Sequence, residues 1–187
     1  MRLSGLIAAL ALAACASAAS AASLEQLAIA DPALKGKAAL EVSSPVLKSG
    51  GPIAEVYTSY GASTSPPLDW RGAPAGTRSL AIILEDPDAP MAAPFVHWVM
   101  WNLPAASHGV AEGKAPSGAA EGKMSIGRMG YFGPRPPAGP AHHYHFEVFA
   151  LDRSLDLAAG ADAKALEAAM AGHVLASGEL VATYQKQ

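Results

Sequence analysis

A mostly β domain, built as a β-sandwich with a few short peripheral helices, is predicted by three features of the chain. Short apolar runs of strand length recur from about residue 40, clusters of turn residues separate them, and a convincing helical pattern appears only near the C-terminus. The 187 residues fit one domain of roughly 100–200 residues. Glycine (18) and proline (15) are too frequent for a helix bundle and call for many turns. Hydrophobic residues reach 51%, which excludes a disordered chain although alanine supplies much of that fraction. With 16% charged residues and a net charge of −3, no positive field gathers a polyanion, and nonspecific nucleic-acid binding is disfavoured.

The elements follow in order. Residues 1–22 read as an export signal: Arg2 supplies the positive charge, and an uncharged stretch follows over 3–14. That stretch is too short to span a bilayer, which takes about 20 helical residues, and it leads into small residues over 18–23. The protein is expected outside the cytoplasm, in the periplasm. The tetrapeptide Leu12-Ala13-Ala14-Cys15 is similar to a bacterial lipobox, so Cys15 is a lipidation candidate that would make the chain an envelope lipoprotein; otherwise it leaves with the signal. As the chain has one cysteine, no intramolecular disulfide forms.

Residues 23–40 are an Ala-rich linker or N-terminal lead in which little function is expected, and 41–187 form the single domain. Residues 40–46 and 53–57 are short β-like runs, and turns at 65–67 and 72–77 flank Leu68, Asp69 and Trp70. The continuous apolar run 79–84 (SLAIIL) has the length and character of a central strand. It ends at Asp86-Pro87-Asp88-Ala89-Pro90, because proline donates nothing to a ladder. Residues 95–103 (FVHWVMWNL) and 144–151 (YHFEVFAL) are two further strong strands. Between them, 104–141 is a long Gly- and Pro-rich connection of the kind that carries function or moves. Asp162 caps a helix over 163–171, Leu166 and Met170 share its face, Gly172 stops it, and a last strand covers 179–184.

Alternation along strands directs the histidines. His97 falls on a face with Phe95, Val99 and Trp101; His142 falls with Tyr144, Phe146 and Val148; His143 and His145 fall on the opposite, solvated face beside Glu147. A histidine on an apolar face is commonly a satisfied core residue, and Asp before Pro is ordinary turn chemistry. If the three strong strands are neighbours, however, Asp86, Asp88, His97, His142 and Tyr144 reach one pocket. A carboxylate that accepts the Nδ1 proton of a histidine fixes its tautomer and favours the imidazolium, whose other nitrogen then donates to an anion. At least one Asp must be engaged, since two free carboxylates would repel that anion.

The segments SPPLDW (65–70), GAPAGTRSLAIILEDPDAP (72–90), HWVMWNLP (97–104), GYFGPRPPAG (130–139), HHYHFEVFALD (142–152) and GHVLASGEL (172–180) together resemble the phosphatidylethanolamine-binding protein family, in particular its bacterial branch similar to Raf kinase inhibitor protein. The resemblance covers most of the chain from about residue 41. It implies a β-sandwich with short peripheral helices and a small pocket for phosphate-like groups. Asp86, Asp88, His97, His142 and Tyr144 match the pocket residues, and Gly133 and Pro134 match the loop whose backbone borders it. It also suggests a cis bond between Ala89 and Pro90. Four departures are visible: Ser63 stands where Asn is frequent, Arg135 where Cys is frequent, His143 where Arg is frequent, and Pro140 precedes the His142 segment.

The expected function is that of an exported, non-catalytic binding protein. Its ligand is a small anion or phosphorylated head group, no cofactor is expected, and family relatives suggest regulation of a protein partner such as a kinase or protease. The alternative is a metal-dependent or Asp/His-based hydrolase using the same pocket. Against it, the chain has no His-x-x-x-His, no cysteine pair and no Gly-x-Ser-x-Gly elbow. No basic amphipathic segment marks a membrane-binding surface.

Overall fold

The computed structural model describes residues 22–187; Cys15 and the export signal up to residue 21 lie outside the described residues. The lead is packed rather than free. It forms three 3-10 turns, Leu24–Gln26, Ala28–Ala30 and Pro32–Leu34, and buries Leu27, Ala28 and Leu34. Asp31 caps the last turn by accepting from the Ala33 N–H at 2.8 Å, and Pro32 fits there because a first-turn N–H has no helical partner anyway.

Strands follow in chain order: β1 (Ala38–Ala39), β2 (Glu41–Ser43), β3 (Leu68–Arg71), β4 (Ser79–Asp86), β5 (Phe95–Pro104), β6 (Gly109–Val110), β7 (Ala120–Glu121) and β8 (His142–Leu151). Helix α1 (Ala163–Met170) and strand β9 (Val174–Tyr184) complete the chain. A six-stranded sheet runs β1-β9-β8-β4-β5-β7, parallel only between β1 and β9, and a three-stranded antiparallel sheet runs β2-β3-β6.

The large sheet is covered on both faces. One face packs Leu80, Ile82, Leu84, Phe146 and Val148 against Leu68 and Trp70 of the small sheet; the other packs Ala81, Ile83 and Phe149 against Leu166 and Met170 of α1 and Leu34 of the lead. This double cover is why β4 reads as an unbroken apolar run, with every residue buried. Asp162 accepts from the Ala165 N–H at 2.9 Å to open α1, and Gly172 at φ 79° ends it in a conformation that glycine adopts without steric cost.

Three expectations are corrected. Residues 55–57 form a 3-10 turn, not a strand: Ile53 donates to Thr183 O at 2.7 Å, and the chain then turns so that the Tyr57 hydroxyl reaches Glu112 at 2.7 Å. The Ala89–Pro90 peptide is trans. His145 is buried, with its Nδ1 donating across the β8–β9 ladder to a Glu179 carboxylate oxygen at 2.8 Å, on the sheet face that the lead and α1 cover.

Strand β5 departs twice from simple alternation. Leu80 pairs with Leu103 and Ile82 with Met100, so Trp101 and Asn102 stand opposite Ala81 alone. Asn102 takes φ 56°, and its amide group both donates to Leu155 O (3.0 Å) and accepts from Leu155 N–H (2.8 Å). The second bulge builds the candidate site.

Candidate functional site

Leu84 pairs with Trp98 while Glu85 pairs with Val96, which leaves His97 as an extra residue on β5. A bulge of this kind re-aims side chains. Trp98 and Met100 join the core between the sheets, whereas Val99 and Trp101 join the core beneath α1. His97 therefore keeps Phe95 as a neighbour, ring centroids 4.6 Å apart, but is separated from Val99 and Trp101, contrary to strict alternation. It meets Tyr144 edge-on at 5.3 Å and stacks on Phe132 at 5.8 Å.

Adjacent strands β4 and β8 bring Asp86 and His142 together: His142 Nδ1 donates to Asp86 Oδ2 at 2.8 Å. His97 Nδ1 lies 2.7 Å from Phe132 O, and since a carbonyl only accepts, Nδ1 carries the proton. Its Nε2 then faces Asp86 Oδ2 at 3.9 Å. All three side chains are buried. Burial pushes the Asp86 carboxyl up, but the neighbouring His97 and His142 imidazoles outweigh it and hold the group below its ordinary 3.8.

Tyr144 is fully buried, and its hydroxyl has no hydrogen-bond partner among the described residues. Burial, then the Asp86 charge, holds its proton far more firmly than in an ordinary tyrosine, although the two groups do not meet in hydrogen-bond geometry.

Asp86, His97 and His142 line a cavity of about 270 Å³ walled by Ala89, Pro90, Met91, Phe95, Ile126, Phe132, Pro136 and Pro137, with Arg135 the cation at its edge. Met91 and Ile126 are exposed apolar side chains here. The polar groups are thus few and convergent within an apolar enclosure, the usual composition of a small-ligand site.

Three expected residues do not line the cavity: Tyr144 is buried beside His97, and Asp88 and Gly133 lie elsewhere. Asp88 is exposed, donates its N–H to Asp86 Oδ1 at 2.9 Å, and accepts from both His143 N–H (2.7 Å) and His143 Nδ1 (2.8 Å). This turn aims its carboxylate at the outer side of β8 and not into the cavity. Gly133 lies behind the cavity wall: its N–H donates to Ser63 Oγ at 2.8 Å and its carbonyl accepts from Ser59 Oγ at 2.9 Å. A Cβ there would collide with the Tyr57 carbonyl oxygen and stand 2.7 Å from the Thr58 backbone. Glycine is required for that approach, which seats Phe132 and Arg135.

Sequence reasoning did not assign site roles to Arg135, Phe132, Met91 or Ile126. Arg135 had a visible signal as an unusual cation in a Gly-Pro-Arg-Pro-Pro segment. The loop carrying it is tied down where the Tyr60 hydroxyl donates to Pro136 O at 2.7 Å and the Ser59 N–H to Pro134 O at 3.0 Å. Among the described residues, no three His, Cys, Asp or Glu side chains are grouped to hold a metal ion.

A family model described as phosphatidylethanolamine-binding protein matches residues 43–185. The chain belongs to the phosphatidylethanolamine-binding protein family. Among its relatives, a UPF0098 protein of Pyrococcus horikoshii is 43% identical over 159 residues, covering 81% of this chain and 79% of the relative. LppC of Mycobacterium tuberculosis, which carries a lipoprotein name, is 40% identical over 78% of this chain and 72% of its own length. Among solved structures of the family, the homologue CT736 of Chlamydia trachomatis superposes with a TM-score of 0.75 at 36% identity, covering 80% of this chain and 99% of that one. None of these three names specifies a catalytic activity. No helix among the described residues is long and apolar enough to cross a membrane.

Proposed function

We propose that this family member is a non-catalytic binding protein whose cavity takes a small phosphate-like anion or phosphorylated head group carrying a modest apolar group. The observation that carries this reading is the buried Asp86–His142 pair on the floor of an apolar cavity with Arg135 at its edge. With Nδ1 committed to Asp86, His142 has one nitrogen left. Protonated, that nitrogen donates to a phosphate oxygen; neutral, it accepts from a phosphate hydroxyl. Arg135 supplies the charge that a second negative oxygen requires. The apolar wall of Met91, Phe95 and Ile126 suits the organic part of an ester better than inorganic phosphate. The family name supports a phosphorylated head group as the ligand class.

Titration with inorganic phosphate and with phosphoethanolamine at pH 6–8, followed through the imidazole NMR signals, tests this reading. The His97 and His142 signals are expected to shift, while those of His108 and His173 stay still. His97→Ala and His142→Ala should each weaken the response. Unmoved His97 and His142 signals would overturn the proposal. Export through residues 1–22 is part of the same reading and is supported by the lipoprotein name of one relative. Intact mass of the mature protein decides between signal removal and acylation at Cys15.

A further inference from the structure

On the opposite face of the large sheet, two carboxylates are buried with no ion pair to either among the described residues. Glu85 on β4 and Glu147 on β8 are 3% and 0% exposed. Both are covered by the lead: the Ala28 N–H donates to Glu85 Oε2 at 2.8 Å and the Ile29 N–H to Glu147 Oε2 at 3.0 Å. Among the described residues, Glu147 Oε1 has no hydrogen-bond partner. The neighbouring elements add negative charge. On β9, Glu179 stands directly across from Glu147; on β8, His145 stands directly across from Glu85 and gives its Nδ1 to Glu179; on α1, Glu167 acts on both carboxyls, with Asp31, Asp162 and Lys164 around it. Lys123 and Lys164 line the cavity that Glu85 borders, but neither forms an ion pair with Glu85 or Glu147.

The lead also reaches the binding side. Gln26 Nε2 donates to Ala92 O at 3.1 Å, next to Met91. Met91 is a wall of the 270 Å³ cavity and of a second cavity of about 440 Å³ that Glu85, Gln26 and Glu167 border. The same short segment therefore holds two buried acids and the loop that walls the site.

We propose that residues 23–37 are a proton-operated strap, which stays closed while Glu85 and Glu147 hold a proton between them and loosens once both are ionised, releasing Ala92 and the Met91 wall. Two buried carboxylates that act on one another are costly to ionise together when neither is ion-paired, and among the described residues the two lead N–H groups are the only hydrogen-bond donors to them. Burial, reinforced for Glu147 by the Glu85 and Glu179 charges, raises both carboxyls, Glu85 to about 7. Opening to water returns them toward the ordinary 4.5. The closed strap thus binds more protons than the open one. Its stability is fullest below the ordinary value and falls as pH rises through the raised values of the two groups, about 7 for Glu85. The inference does not depend on what the cavity binds.

Amide hydrogen exchange of Ala28 and Ile29 in the full chain between pH 5 and 8, corrected for intrinsic exchange, tests it. Protection of both amides should fall roughly tenfold or more across that range, and the Met91 methyl signal should move in parallel. A Glu85→Gln/Glu147→Gln double variant should lose the pH dependence. Glu147→Gln alone should shift the midpoint to lower pH, and this gives a second test if the double variant fails to fold. Protection that is level from pH 5 to 8 in the unmodified chain, an unshifted midpoint, or a Met91 signal that ignores the opening of Ala28 and Ile29 would overturn the proposal.

Discussion

His142 spends its Nδ1 proton on Asp86 Oδ2 at 2.8 Å, so the chemistry of this imidazole toward a ligand passes through Nε2 alone. The two residues come from neighbouring strands, just beyond the last β4–β8 pair, Glu85 with His145; Asp86 is registered with Phe95 on β5 and His142 with Tyr184 on β9.

Asp86→Asn should cost stability in a pH-dependent way. The carboxyl is held below its ordinary 3.8, so its contribution is present above that value and is lost as pH falls through the depressed one. Thermal melts of the two proteins should differ by about 1–3 kcal/mol at pH 6, as expected when a charged hydrogen bond is weakened in a buried site. The difference should shrink below pH 4. A constant gap down to pH 3 would contradict the assignment of the effect to ionised Asp86.

Tyr144→Phe removes a hydroxyl that is buried and unpartnered in the free protein. Leaving such a group unmade costs about 1–3 kcal/mol, so the variant should melt at the same temperature or higher. A marked loss of stability would mean that the hydroxyl has a partner.

Arg135→Gln should weaken phosphoethanolamine binding about two- to fivefold, the scale of an exposed charge pair, and should flatten its salt dependence. Calorimetric titrations at two ionic strengths measure both. The melting temperature should scarcely change, because Arg135 is exposed and rests only on the Tyr60 ring, 6.0 Å from its centroid.

Gly133→Ala should destabilise the domain by about 1–3 kcal/mol or more, since the added methyl meets backbone that cannot turn aside. Ser63 makes a matched test. It sits at φ 53°, a left-handed conformation that costs a non-glycine residue about 1–2 kcal/mol. Its Oγ accepts the Gly133 N–H. Ser63→Ala loses the acceptor and keeps the strain, whereas Ser63→Gly loses both. The alanine variant should therefore melt lower than the glycine variant.

Much of the fold could be read from residue patterns, because the strong strands are long enough for their apolar content to be unambiguous and Asp162 and Gly172 bracket the helix with ordinary cap chemistry. The lead was harder: its 3-10 turns bury Leu27, Ala28 and Leu34 against a sheet formed from distant sequence, and no local period announces that packing. The short run at 53–57 was too brief for alternation to distinguish a strand from a turn.

At the site, Asp86, His97, His142 and Tyr144 were legible as chemistry-bearing residues at the ends of adjacent strands. The orientation of His97 was not, since alternation assumes an unbroken ladder and the bulge opposite Leu84 and Glu85 breaks it. The outward turn of Asp88 depends on a contact with His143 that no spacing rule specifies.

Strand β9, the last regular element, lies between β1 and β8 inside the large sheet, and beyond it Gln185 Nε2 still donates to Gly139 O at 2.8 Å, just ahead of His142. His142 pairs with Tyr184 in that sheet, so β8 keeps a bare edge beside it until β9 has been made and docked. Assembly of that corner of the sheet is therefore a late event, possible only after synthesis has passed residue 184.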